Sequence, residues 1–129
     1  MHPSGRFVYV ANRASGTVDF EGKRVFVGGE NSIAVFSISQ VTGEPTLIQN
    51  ADTRGMHPRT FSLDASGKIL VVANMMSVPV RTEKGVGVLP ACLSVFRVGS
   101  DGKLDFARKY DIETGGTRTL FWSGLVSLR

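Results

Sequence analysis

One cysteine, one tryptophan and no apolar run approaching the roughly 20 residues of a membrane span set the first limits on this 129-residue chain. The lone thiol, Cys92, excludes an intrachain disulfide and cannot by itself build a zinc site; it sits in an apolar stretch and reads as a small buried hydrophobe. Carboxylates and histidines are not grouped at metal-ligand spacings, so neither a metal nor another cofactor is expected. Basic residues form no dense run: the 15 Lys and Arg are interleaved with 11 acids, for a net charge of +4. That pattern argues against a nucleic-acid partner and suits small anions. The Gly28-Gly29 and Gly115-Gly116 pairs lack the strand-to-helix setting of a phosphate loop. The opening Met1-His2-Pro3-Ser4-Gly5-Arg6 lacks the charged-then-apolar order of a secretion signal, so the expectation is a cytoplasmic protein with no membrane partner.

What is present is a repeat. Pro3-Ser4-Gly5-Arg6-Phe7-Val8-Tyr9-Val10-Ala11-Asn12 matches Ala65-Ser66-Gly67-Lys68-Ile69-Leu70-Val71-Val72-Ala73-Asn74. Ala34-Val35-Phe36 then matches Ser94-Val95-Phe96, and Thr42-Gly43-Glu44 matches Asp101-Gly102-Lys103, in the same order. Collinear matches of this kind decide architecture ahead of local propensity. Each unit consists of short Val-, Ile-, Leu- and Phe-rich runs bounded by Gly, Ser, Asp and Asn. Strands are predicted near 6–12, 32–38 and 46–52, then near 60–65, 68–74, 92–98 and 105–112, with a last one over 119–127 that packs Phe121-Trp122 as apolar residues. A short helical turn within Val86–Leu93 is open. The fold class is therefore all-β, with about two four-stranded antiparallel meander blades of a β-propeller plus a C-terminal strand. The blades are an incomplete first over about 1–54, a second over about 55–115, and the start of a further strand in 116–129.

With the strand positions of a blade lettered a to d, the a-to-b and c-to-d links are tight Gly turns, which places them on the structural face. The b-to-c links, roughly 13–31 and 75–91, are long, and long loops in a compact repeat carry function. Val25-Phe26-Val27 in the first of them is able to form an extra hairpin strand. An antiparallel meander puts both long loops on one face with Met56-His57-Pro58-Arg59, Asn12, Arg13, Glu30 and Asn74. His2 falls on the opposite, turn face, and Asp64 and Asp111 sit at strand ends where turn and cap roles are usual.

The run His2-Pro3-Ser4-Gly5-Arg6-Phe7-Val8-Tyr9-Val10-Ala11-Asn12-Arg13, followed by Asn31-Ser32-Ile33-Ala34-Val35-Phe36, resembles the seven-bladed propeller lactonases, a family that includes 6-phosphogluconolactonases and carboxymuconate-lactonizing enzymes. His57-Pro58-Arg59-Thr60-Phe61-Ser62-Leu63-Asp64 with Gly67–Asn74 resembles the next blade. The resemblance implies a C-terminal fragment of a lactone hydrolase, such as one acting on 6-phosphogluconolactone, inactive alone because a histidine, an arginine and a glutamate of earlier blades have no match here. It implies that Arg13 is a catalytic or substrate-binding arginine, although the insertion after it is longer than the family's short turn.

Lactone opening builds negative charge on the carbonyl oxygen of an already anionic substrate, which arginine stabilises, and it needs a base near neutral pKa. The candidate catalytic residues are Arg13 and His57; the candidate substrate contacts are Arg13, Arg59, Asn12, Glu30 and Asn74. The bland reading pairs Arg13 with Glu30 and makes His57 a turn residue. Two alternatives to a lactone hydrolase stay open: a carboxymuconate-lactonizing or cyclase-type activity, and a non-catalytic module that binds small anions and self-associates through exposed blade edges.

Overall fold

The computed structural model describes residues 1–126 and 128. Along the chain the strands are β1 Phe7–Arg13, β2 Thr17–Phe20, β3 Lys23–Phe26, β4 Asn31–Ile38, β5 Pro45–Asp52, β6 Pro58–Leu63, β7 Ile69–Asn74, β8 Val78–Thr82, β9 Gly85–Leu89, β10 Cys92–Val98 and β11 Leu104–Asp111. No helix forms among the described residues. The first blade is a three-stranded sheet in the order β1-β4-β5, and the second a four-stranded sheet in the order β11-β10-β7-β6. Strand positions b, c and d are thus filled in the first blade and a, b, c and d in the second, as the repeat predicts.

Alternation along the strands explains how the blades stack. Pairing of Tyr9 with Val35 and of Ala11 with Ile33 puts these side chains on one face of the first sheet, and Ser94 with Val72 and Phe96 with Leu70 do the same in the second. The two faces meet in one core of Phe7, Tyr9, Ile33 and Val35 against Leu70, Val72, Phe96 and Leu104. Removing each such side chain from water stabilises the stack by roughly 1.5–3 kcal/mol. Polar bonds fix the relative position of the blades: the Gln49 side chain donates to the Leu104 carbonyl at 2.9 Å and accepts from the Leu104 amide at 2.7 Å. On the turn face, His2 Nε2 lies 3.1 Å from the Gly67 carbonyl oxygen, linking the two a-to-b turns. Those turns place Gly5 and Gly67 at φ of 71° and 73°, the left-handed region that glycine enters without strain.

The first long loop forms the extra hairpin strand that Val25-Phe26-Val27 allowed, as β3, and the second long loop forms a hairpin that the sequence did not announce. Each folds into a hairpin, β2-β3 and β8-β9, and the two join through a parallel β3-β8 contact at Phe26 and Val80 into a third sheet ordered β2-β3-β8-β9. The segment suspected of a helical turn is mostly strand β9, because Val86 to Leu89 pairs with Val78 to Arg81. Arg81 lies over the Phe20 ring at 4.6 Å, so the hairpins also meet through side chains. The predicted strand over 119–127 is not formed over 119–126, and residue 127 lies outside the described residues. This tail runs instead beside β6, held by the Leu120 amide donating to the Met75 carbonyl at 2.8 Å and the Leu125 amide to Ser62 Oγ at 3.2 Å. Phe121 and Trp122 are 64% and 80% exposed, so they are not packed as apolar residues.

Candidate functional site

The ends of β1 and β7 and the starts of β4, β6 and β10 share the loop face, where Arg13, Arg59 and Glu30 line two clefts. The first, about 520 Å³, opens between β1 and β6 and is lined by Ala11, Arg13, Pro58, Arg59, Thr60, Phe121 and Trp122. Its only charged side chains are the two guanidinium groups, and among the described residues neither Arg13 nor Arg59 is in an ion pair. The Arg59 guanidinium lies 4.2 Å above the Phe121 ring, a stacking that orients the planar cation without neutralising it.

His57 stands at the entrance to β6. Its backbone is left-handed, φ 56°, and bonds on both sides hold it there: its amide donates to Asn31 Oδ1 at 3.0 Å and its carbonyl accepts from the Met75 amide at 2.9 Å. The imidazole pKa is lowered from 6.5, first by burial and then by the positive charge of Arg13. Both effects disfavour the imidazolium, so the ring is neutral and able to take a proton at neutral pH.

The second cleft, about 470 Å³, is lined by residues that include Glu30, Asn31, Ser32, Asp52 and Arg54. Glu30 Oε1 accepts from Ser32 Oγ at 2.6 Å and, more distantly, from Asn12 Nδ2 at 3.5 Å; Asn12 also donates to Ser32 at 3.1 Å. Glu30 is therefore engaged with Asn12 and Ser32, and the simple pairing of Arg13 with Glu30 is not formed. The sequence placed all candidates in one group, whereas in the structure Arg13 and Arg59 line the first cleft, Glu30 lines the second with Asn12 bonded to it, and His57 is in neither lining.

Asn74 belongs to neither cleft. It is fully buried, donating to the Thr53 carbonyl at 3.2 Å and to Ser94 Oγ at 3.1 Å, with Cys92 Sγ at 3.3 Å, so it has no exposed atom for a ligand. With Asn31 and Thr53 it anchors the link from β5 to β6. The alignment of Asn74 with Asn12 could not reveal this, since burial of the second asparagine depends on the crossover that covers it. Cys92 is buried beside it, and burial raises the thiol pKa, as suits an inert core residue. Asp64 accepts from the Ser66 and Ile69 amides and stays a turn residue. Sequence reasoning missed Phe121 and Trp122 as cleft walls; their position after β11 carries no signal of the return to β6.

Face-to-face stacking of two repeated antiparallel sheets defines a pair of propeller blades. A family model described as lactonase, 7-bladed beta-propeller matches residues 1–84, and the chain belongs to that family. It is 39% identical over 75 residues to a 6-phosphogluconolactonase of Formosa agariphila, a match covering 58% of this chain and 18% of that protein. A 6-phosphogluconolactonase of Bacillus subtilis is 39% identical over 70 residues, 54% of this chain and 16% of the relative. The matched part of the chain thus covers less than a fifth of the length of these relatives. No solved structure matches. No helix among the described residues is long and apolar enough to cross a membrane.

Proposed function

We propose that this chain carries the anion-binding part of a lactonase cleft and takes a sugar-acid lactone bearing phosphate or carboxylate, such as 6-phosphogluconolactone. The observation that carries the reading is the cleft lined by both Arg13 and Arg59 with no acidic side chain in the lining. One guanidinium binds the substrate anion and the other faces the oxygen on which charge develops as water adds to the lactone carbonyl carbon. His57, kept neutral, accepts the proton of the attacking water and returns it to the ring oxygen as the ring C–O bond breaks. Earlier blades, by resemblance, supply further groups, so binding is expected from this chain without efficient turnover.

Calorimetric titration with 6-phosphogluconate, the stable hydrolysis product, tests the reading. Saturable binding that Arg13→Ala weakens about tenfold or more is expected, since hydrogen bonds to charged groups contribute roughly 1.5–3 kcal/mol. Absence of binding, or indifference to Arg13→Ala and Arg59→Ala together, would overturn it, and equal binding of gluconate, which lacks the phosphate, would assign the anion contact to the carboxylate.

A further inference from the structure

Arg13 ends a strand of the first blade and His57 enters the second, and a buried side chain that the sequence did not mark lies between them. Asn31, 9% exposed, opens β4 directly opposite Arg13 in the β1-β4 ladder. Residues opposite each other in an antiparallel pair carry their side chains on one face, here the face of Tyr9, Ile33 and Val35 that packs on the second blade. From β4 the Asn31 side chain reaches the link between β5 and β6. Its Oδ1 accepts from the His57 amide at 3.0 Å, and its Nδ2 donates to Met56 Sδ, a weak acceptor, at 3.2 Å. Its main chain holds the other end of the same link, the Asn31 carbonyl accepting from the Thr53 amide at 3.1 Å and from Thr53 Oγ1 at 2.9 Å. One residue is thus bonded to Thr53, Met56 and His57 and is also the cross-strand neighbour of Arg13.

The link needs such support. Arg54 and His57 are both left-handed, at φ 58° and 56°, a region that residues with side chains enter rarely and keep only where their surroundings over-determine it. At Arg54 the support is local, its amide donating to Asp52 Oδ1 at 2.8 Å. At His57 it comes from both blades: the Met75 amide holds the carbonyl from the second, and Asn31 holds the amide from the blade that carries Arg13. Because φ sets the direction of the Cα–Cβ bond, the Asn31 bond also sets where the imidazole points. Asn74 differs, since it grips the Thr53 carbonyl and makes no bond to His57. Asparagine suits the position chemically. Its neutral carbonyl takes the amide, whereas a carboxylate there would favour the imidazolium and attract the Arg13 guanidinium.

We infer that Asn31 is a positioning residue, which sets the His57 imidazole against the Arg13 guanidinium across the blade boundary. The inference rests on the proposed partnership of Arg13 and His57 in lactone opening and adds what holds the two in place.

NMR of the 129-residue chain tests this without turnover. The His57 amide is expected to exchange slowly with solvent in the unsubstituted chain and about tenfold or more faster in Asn31→Ala, while Asn31→Asp, which keeps an oxygen acceptor, restores the protection. The partnership is read from the His57 imidazole midpoint. Arg13→Ala raises it in the unsubstituted background, and raises it much less once Asn31→Ala has freed the ring. Thr53→Val is the control, since it loosens the same link from its other end and leaves the bond from Asn31 to His57; the Arg13 effect survives it while the melting temperature falls. An unprotected His57 amide in the unsubstituted chain overturns the inference whether or not any variant folds. So does an Arg13 effect of full size in Asn31→Ala, or one that Thr53→Val abolishes equally, which would reduce Asn31 to a structural part of the link. Absence of any Arg13 effect in the unsubstituted chain fails the partnership itself and the inference with it, an outcome distinct from the others.

Discussion

Tyr9 on β1 donates its hydroxyl to the carbonyl oxygen of Gly102, in the turn between β10 and β11, at 3.0 Å across the boundary between the blades. Gly102 is left-handed there, φ 80°, and a Cβ at that position would collide with the Phe7 ring. The strand that ends in Arg13 is therefore held to the neighbouring blade, which also carries the β6 residues Pro58 and Arg59 of the cleft lining.

The Tyr9 phenol carries a pH signature. Burial first, and the nearby Asp101 charge second, push its pKa from 10.0 up to about 12. A folded-state pKa above the unfolded one means that the stabilisation is complete below pH 10 and is lost as pH rises towards 12. Tyr9→Phe is expected to cost about 1–2 kcal/mol, for the lost bond and the unpaired carbonyl, and to flatten the decline over that window. Denaturant unfolding of both proteins at pH 8 and pH 11 measures this; equal alkaline losses in the two would contradict it.

Gly55 is held by space rather than by φ. A Cβ there would lie 2.6 Å from Asn74 Cγ and 2.6 Å from Cys92 Sγ, and Asn74 is fixed by its buried bonds. Gly55→Ala is expected to destabilise by roughly 1–3 kcal/mol, as overpacking does, and to loosen the link that presents His57. Thermal unfolding checks the first effect. A melting temperature unchanged from the parent would show that the asparagine network yields.

The sequence legibly encodes those parts of the fold that repeat. Alternation in Phe7–Asn12 and Ile69–Asn74, with Gly5, Gly43, Gly67 and Gly102 at the turns, marks seven blade strands near their observed positions. The third sheet was harder to read, because β3 and β8 come from separate loops and share a parallel contact that no local pattern records. The positions of Arg13, His57 and Arg59 at strand ends on the loop face were legible. The separation of Glu30 from Arg13 was not, since it turns on the short bond from Ser32 to Glu30, and Asn74 looked like Asn12 until the crossover at Thr53 buried it.

Phe121 positions Arg59 in the cleft through a cation–ring contact whose strength, about 0.5–1 kcal/mol at exposed sites, is modest. Phe121→Leu is expected to keep the fold and weaken 6-phosphogluconate binding by a factor of about two to five. Titration calorimetry of the variant reads it directly. Affinity equal to the parent would mean that Arg59 reaches the ligand without the stack.

His57 provides the sharpest test of the electrostatics. Its lowered pKa means that the folded state disfavours the imidazolium; the associated stability is present above pH 6.5 and is lost as pH falls through the folded pKa. Burial is the larger cause and Arg13 the smaller, so Arg13→Ala is expected to move the pKa upward only part of the way to 6.5. Following the His57 Cε1 proton by NMR from pH 4 to 8 in the parent and in Arg13→Ala gives both values, with His57→Gln assigning the resonance. An upward shift places Arg13 close enough to act on the same substrate as the imidazole, whereas an unchanged midpoint would separate the two groups and remove His57 from the proposed cleft chemistry.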